Sequence, residues 1–266
     1  MKPVLRYPGS KWNIADWIIS HMPPHVHYLE PYFGSGAVLF RKPRARVETV
    51  NDMDGRVYNL FRVLRDRPAE LAALIHMTPW SRLEYMDSYD STGDDLEDAR
   101  RFLVRCWQAF GVRSNWRSGW KNEISGDQGK MVTAVWKDLP DRILEVAERL
   151  RGVQIECSPT LTLIRRMNDP GVLIYADPPY LGIRKNLYAF SMDEEDHFNL
   201  LETLMAHPGP VLLSCYDNEL YTHTLEDFEQ TWKCFKSNAT ADGGRPREEV
   251  LWMNPIAAEM REGVLF

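Results

Sequence analysis

The apolar run Val172–Ala176 stops abruptly against Asp177-Pro178-Pro179-Tyr180. A run without polar alternation is the pattern of a strand buried on both faces, and such strands belong to parallel sheets covered by helices. Two successive prolines carry no amide hydrogen and hold an extended turn, so neither a strand nor a helix continues through them. Parallel neighbours also need long crossovers, usually helical, so the chain around this strand should alternate between strand and helix. It does. The pattern predicts strands at 28–31, 47–50, Val153–Glu156, Val172–Ala176, Val211–Cys215 and 249–253. Between them it predicts helices over Ala37–Arg41, over 57–64 with apolar residues at 57, 60, 61 and 64, and up to about Met167. Another helix is expected from Ser191-Met192-Asp193-Glu194, read as a capping box of Ser191 and Glu194, to about His207. From 66 to 150 the chain shows helical runs at 68–76, 96–109 and Leu139–Leu150 but no strand. The expectation is an α/β fold, one doubly wound sheet built by 1–65 and 151–266, with a mainly helical insert over 66–150.

With 266 residues, 44% of them hydrophobic, the chain can bury a core without disulfides or a structural metal. No apolar run is long enough to cross a membrane. The four cysteines, at 106, 157, 215 and 234, form no CxxC pair and read as reduced thiols, with Cys157 and Cys215 expected in the core. The first residues lack the apolar centre of a secretory signal, so a cytoplasmic protein is expected. These features exclude a disulfide scaffold, a zinc finger and a disordered chain. His21, His25 and His27 flank Pro23-Pro24 with no acid at ligand spacing, and no metal is expected there.

The net charge of −6 argues against a polyanionic partner only on average. Residues 100–122 hold Arg100, Arg101, Arg105, Arg113, Arg117 and Lys121 and no acid, interleaved with Trp107, Phe110, Trp116 and Trp120. Cations among aromatics suit phosphate contacts with base stacking. The competing reading is a basic helix face over core tryptophans.

Two turns carry candidate chemistry. Glu30-Pro31-Tyr32-Phe33-Gly34-Ser35-Gly36 joins a strand to a helix, and its GxG lets backbone approach a ligand closely. Asp52 follows the next strand, where an acid accepts hydrogen bonds from ribose hydroxyls. Position 39 is Leu, not the third glycine of the dinucleotide fingerprint, which suits a nucleoside better than NAD. The second turn is Asp177–Tyr180. It would hold the Asp177 carboxylate and the Pro178 carbonyl as two acceptors for a planar amine, with the Tyr180 ring as a stacking face. Either turn alone is also compatible with a purely structural role.

Three separated motifs, Arg6-Tyr7-Pro8-Gly9-Ser10-Lys11, the turn from Glu30 to Gly36, and Asp177-Pro178-Pro179-Tyr180, together resemble the Dam-type (alpha-group) adenine-specific DNA methyltransferases. Weaker echoes are Asn51-Asp52, Asp196-His197 and 248–254. The resemblance implies a Rossmann-like sheet that uses S-adenosylmethionine. It implies methyl transfer to the 6-amino group of adenine in a short duplex sequence, after base flipping and without a covalent enzyme intermediate. Tyr7 and Lys11 would then meet the cofactor's methionine part, Lys11 at its carboxylate. Asp52 would take the ribose hydroxyls, while Glu30, Gly34, Gly36 and Asp177 would line the pocket. Asp177, Pro178, Pro179 and Tyr180 would form the catalytic turn. Double-stranded DNA would be met by Arg6 and by Arg113, Asn115 and Arg117 of the insert. The insert departs from the better-known members, so no recognition sequence is implied. The setting implied is the cytoplasm of a bacterial or phage-infected cell. A restriction endonuclease partner and the choice of monomer or dimer stay open. Two alternatives remain: transfer to the exocyclic amine of cytosine, and a non-catalytic DNA-binding regulator on the same fold. An NAD-linked dehydrogenase would leave the Asp-Pro-Pro-Tyr turn unexplained.

Overall fold

The computed structural model describes residues 1–111, 117–122, 132–181, 188–236 and 246–263. Among them, the strands are β1 (His27–Glu30), β2 (Val47–Asn51), β3 (Val153–Glu156), β4 (Val172–Ala176), β5 (Val211–Cys215), β6 (Glu229–Lys236) and β7 (Pro246–Met253). The helices are α1 (Ala15–Ser20), α2 (Ala37–Arg41), α3 (Gly55–Asp66), α4 (Pro68–Met77), α5 (Arg82–Asp87) and α6 (Asp95–Gln108). They continue with α7 (Val132–Lys137), α8 (Leu139–Leu150), α9 (Thr160–Arg166), α10 (Glu194–Met205), α11 (Glu219–Thr224) and α12 (Pro255–Glu262).

All seven strands join one sheet in the order β3-β2-β1-β4-β5-β7-β6. β1 to β5 run parallel, and β7 lies antiparallel between β5 and β6. The order reverses between β1 and β4, which makes their carboxyl ends the switch point where open α/β sheets bind ligands. This is the α/β sheet that the alternating pattern predicts.

β4 shows why its sequence is apolar throughout. Leu173 and Tyr175 enter one core, while Val172, Ile174 and Ala176 enter the other. The first core takes in Leu60 and Phe61 of α3 together with Leu71, Phe102, Trp107 and Ile143 of the 66–150 region. The second is closed by Leu163 of α9, Leu200 of α10 and Tyr221 of α11. The insert therefore shares its core with the sheet. Arg149 of α8 adds a polar tie, donating to Glu48 of β2 at 2.8 Å and to the Leu39 carbonyl at 2.9 Å.

The structure corrects several expectations. β6 was outside the predicted set; it is an edge strand with one neighbour, so its polar sequence EQTWKCFK lacks the apolar run that marks a central strand. The capping box of α10 is formed by Asp193 and Asp196, not Ser191 and Glu194. Asp193 accepts from the Asp196 amide at 3.0 Å, and Asp196 accepts from the Asp193 amide at 3.1 Å. Cys157 is exposed just beyond the edge strand β3, whereas Cys215 is buried under the Trp252 indole. α1, α5, α7 and α11, at 6 residues each, are too short for a period to show in the sequence. Among the described residues no helix is long and apolar enough to cross a membrane.

Candidate active site

A cavity of about 500 Å³ opens beside the carboxyl ends of β1 and β4, within the size range of small-molecule sites. Tyr7, Lys11, Glu30, Gly34, Asp52 and Asp177 are among the residues that line it.

The turn after β1 depends on two left-handed glycines, Gly34 at φ 49° and Gly36 at φ 67°. A side chain is disfavoured at either, and a Cβ on Gly36 would lie 2.5 Å from the rings of Phe33 and Phe40. The end of β2 fastens this turn. The Phe33 amide donates to the Asn51 carbonyl at 2.9 Å, and the Asn51 side-chain amide donates to the Pro31 carbonyl at 3.1 Å. Asp52 accepts the Gly34 amide at Oδ2 (2.8 Å) and the Asp54 amide at Oδ1 (2.9 Å). Burial pushes the Asp52 carboxyl up to about 6, against the pull of those two amides. Glu30, deeper in, accepts the Tyr28 hydroxyl at 2.8 Å and the Leu39 amide at 3.2 Å, and burial lifts it to about 8.

Across the cavity, Asp177 leaves β4 into a cluster assembled from three separate segments. Lys11 Nζ lies 2.8 Å from Asp177 Oδ1, 3.5 Å from Glu249 Oε1 and 2.9 Å from the Gly9 carbonyl oxygen. The Tyr180 hydroxyl lies 3.0 Å from the same Asp177 Oδ1 and in a short hydrogen bond with Glu249 Oε1. Both partners of Asp177 use Oδ1. Oδ2 carries no hydrogen bond among the described residues. Burial lifts the Asp177 carboxyl above the ordinary aspartate range while Lys11 holds it down. Burial lowers the Lys11 ammonium, but Asp177 and Glu249 overcome this and keep it protonated.

Residues 7–236 match the family described as D12 class N6 adenine-specific DNA methyltransferase. The chain belongs to that family. Relatives include the Type II methyltransferase M1.LlaDCHI of Lactococcus lactis subsp. cremoris, 26% identical over 69% of this chain and 67% of that protein. The DNA adenine methylase of Salmonella typhi is 22% identical over 81% of each chain. The Type II methyltransferase M.MjaIII of Methanocaldococcus jannaschii is 24% identical over 70% of this chain and 71% of that one.

The methyltransferase motifs thus meet at one cavity, but three residues stand differently from what the resemblance implies. Lys11 lines the cavity, yet its three ammonium hydrogens face acceptors within the protein, so a cofactor carboxylate would compete with Asp177 for it. Tyr180 offers no open face. Its ring is 9% exposed, with Lys11 Nζ 4.8 Å from the centroid and the Tyr216 ring edge-on at 4.5 Å. Pro178 is buried off the cavity wall, which Pro179 joins instead. Tyr7, Glu30, Gly34 and Asp52 line the cavity, and Gly36 caps α2 behind them.

The basic segment also divides. Arg100 pairs with Glu84 and Glu97, Arg101 pairs with Glu97, and Arg105 donates to the Ser88 carbonyl. Trp107 is a core residue whose indole donates to the Val4 carbonyl at 2.8 Å. Those side chains follow the basic-helix reading. Arg6 lies with its guanidinium 5.7 Å from the Trp107 ring centroid, and burial lowers its pKa. Arg117 is exposed, 5.1 Å from the Tyr89 ring, while Arg113 and Asn115 fall outside the described residues. His21, His25 and His27 bond to the Trp17 carbonyl, the Pro23 carbonyl and the Thr49 hydroxyl. Among the described residues no group of three His, Cys, Asp or Glu side chains could hold a metal.

Sequence reasoning missed Glu249. Its only signal was the weak family echo over 248–254, because a buried carboxylate on a strand looks in sequence like an ordinary polar position.

Proposed function

We propose that this chain transfers a methyl group from S-adenosylmethionine to the 6-amino group of adenine in duplex DNA, at the cavity between the turns after β1 and β4. The observation that carries the reading is the Asp177 carboxylate on the cavity wall, with Oδ1 held by Lys11 and Tyr180 and Oδ2 left without a partner among the described residues.

The cavity residues fit the cofactor. Asp52 is an acid on the wall, held by two backbone amides and able to accept more hydrogen bonds, as a ribose diol requires. The positive φ of Gly34 and Gly36 brings backbone rather than side chain to that wall. The Asp177 carboxylate gives the far side an acidic group, which suits a sulfonium, while Glu30, lifted to about 8 by burial, is protonated at neutral pH. The Ser10 and Ser35 hydroxyls, 2.8 Å apart at the cavity edge, are polar groups for the methionine end, a role that Lys11 is not placed to fill alone.

When bound, S-adenosylmethionine supplies an electrophilic methyl group. Asp177 Oδ2 accepts one hydrogen of the adenine amine, and a backbone carbonyl of the same turn is the second acceptor, Pro178 itself being buried off the wall. Accepting both hydrogens localises the nitrogen lone pair and stabilises the positive charge that grows on nitrogen as its bond to the methyl carbon forms and the methyl–sulfur bond breaks; S-adenosylhomocysteine is the leaving product, and the surplus N6 proton is released to solvent. No nucleophile of the enzyme takes part. Cys215 is buried, with its thiol pushed up by burial, and Cys157 stands outside the cavity lining. An adenine inside a duplex cannot reach Asp177, so the base is extruded, at a cost of a few kcal/mol. Tyr180 acts in this account by holding Asp177 instead of stacking on the base.

The helical 66–150 region is the proposed DNA-reading layer, with Arg117 as its exposed cation among the residues assigned to that role. Arg6 joins that layer from the amino-terminal segment, through its contact with Trp107. The test is to treat duplex DNA with the protein and methyl-labelled donor, digest it and identify the labelled nucleoside. N6-methyladenine is expected; label confined to N4-methylcytosine would overturn the choice of base.

A further inference from the structure

Glu249 is 1% exposed on β7, directly before the buried apolar run Val250-Leu251-Trp252-Met253. A carboxylate buried beside a second carboxylate is unfavourable, and an apolar residue would suit that strand better unless the charge is used. Its two contacts show where it acts. Glu249 Oε1 lies 3.5 Å from Lys11 Nζ and accepts the Tyr180 hydroxyl, and these two groups are the ones that hold Asp177 Oδ1.

We propose that Glu249 is a positioning residue of the methyl-transfer site, anchoring Lys11 and Tyr180 from behind so that Asp177 keeps Oδ2 turned to the adenine amine. The proposal rests on the function proposed above. Its first support is geometric. Lys11 has three ammonium hydrogens and three acceptors, the Gly9 carbonyl, Asp177 and Glu249. Three anchors fix the direction of a long, flexible side chain, whereas two leave it a free rotation. The Tyr180 hydroxyl has one hydrogen between two carboxylates, so the charge state of Glu249 also decides whether that hydrogen is donated to Asp177 Oδ1.

The second support is charge. Two carboxylates around one ammonium leave the cluster net negative when both are ionised, next to a nitrogen that becomes positive during transfer. Burial pushes Glu249 up to about 7, with Lys11 opposing and Asp177 adding to the rise. Its charge therefore changes near neutral pH. The groups facing it are Lys11, Asp177 and Tyr180, with Tyr175, Tyr188 and Cys215 within electrostatic reach and the exposed Lys233 opposite it on β6.

The experiment compares wild type, Glu249→Gln and Glu249→Asp in single-turnover methylation of DNA across neutral pH, with S-adenosylhomocysteine affinity measured by calorimetry. Glutamine keeps the shape and removes the charge, and is expected to slow transfer by about tenfold or more, below the loss from deleting a group that touches the reacting atoms. KM and S-adenosylhomocysteine affinity should stay near wild type, and the acid limb near neutral pH should disappear. Aspartate should restore part of the rate and keep that limb. Glutamine at the wild-type rate with the limb unchanged would overturn the proposal. So would equal losses of rate and cofactor affinity in both variants, which mark a purely structural role. If the wild type methylates no adenine, the parent reading fails, and this one with it.

Discussion

Replacing Lys11 with methionine separates the structure's account of that residue from the one the family resemblance implies. In the structure Lys11 holds Asp177, and 2.8 Å at an effective dielectric of about 20 gives an attraction of about 6 kcal/mol. Desolvation of the ammonium offsets part of that. The measured cost of removing one member of a buried pair is about 3–5 kcal/mol, and without the cation that holds it down the Asp177 carboxyl rises further. Asp177 and Glu249 would then face each other without a cation, and the pair would hold a proton at neutral pH. Transfer needs an ionised acceptor, so the acid limb of the pH–rate profile should move upward. At pH 7 the single-turnover rate should fall about 100-fold, the lower end of that cost, and be partly regained as the pH is raised above 7. The assay is single-turnover methylation of duplex DNA across that range, with S-adenosylhomocysteine binding measured on the same samples. A Lys11→Met protein with an unmoved acid limb, and a loss confined to cofactor affinity, would refute the reasoning and place Lys11 on the cofactor's carboxylate.

Asp52→Asn should weaken S-adenosylhomocysteine binding about tenfold or more, since charge-assisted hydrogen bonds are worth about 1.5–3 kcal/mol each; calorimetry with unchanged affinity would remove the ribose assignment. Gly36→Ala adds a Cβ 2.5 Å from Phe33 and Phe40 at a positive φ. The expected loss is about 3 kcal/mol, read as a Tm lower by roughly 6–12 °C, and an unchanged Tm would contradict the described turn. Arg117→Ala should flatten the salt dependence of DNA binding with little change in Tm, because it is exposed. Arg100→Ala should do the reverse, since Arg100 is tied to Glu84 and Glu97.

The fold was readable where the sequence carries a period or a sharp stop. β4 and β5 lie where their apolar runs predict, because a parallel strand covered on both faces has no place for polar residues. β6 escaped because an edge strand follows different rules, and the box at Asp193 and Asp196 because several acids near the start of α10 compete for the cap. At the site, Tyr7, Glu30, Gly34, Asp52 and Asp177, drawn from the separate motifs, line one cavity. Spacing could not reveal which groups Lys11 and Tyr180 satisfy, because their partner Glu249 lies on a strand far along the chain. Composition grouped Arg100, Arg101 and Arg105 with Arg117, but a list of cations does not record which have acids or carbonyls from neighbouring helices within reach.

In the proposed reaction Asp177 serves the chemistry and not the holding of the ligands. The most direct test measures single-turnover methylation by Asp177→Ala alongside its affinity for S-adenosylhomocysteine and for DNA. The account predicts transfer lowered by about 10³-fold or more, with both affinities near those of the wild type. Transfer retained within about tenfold, with both ligands bound, would contradict it.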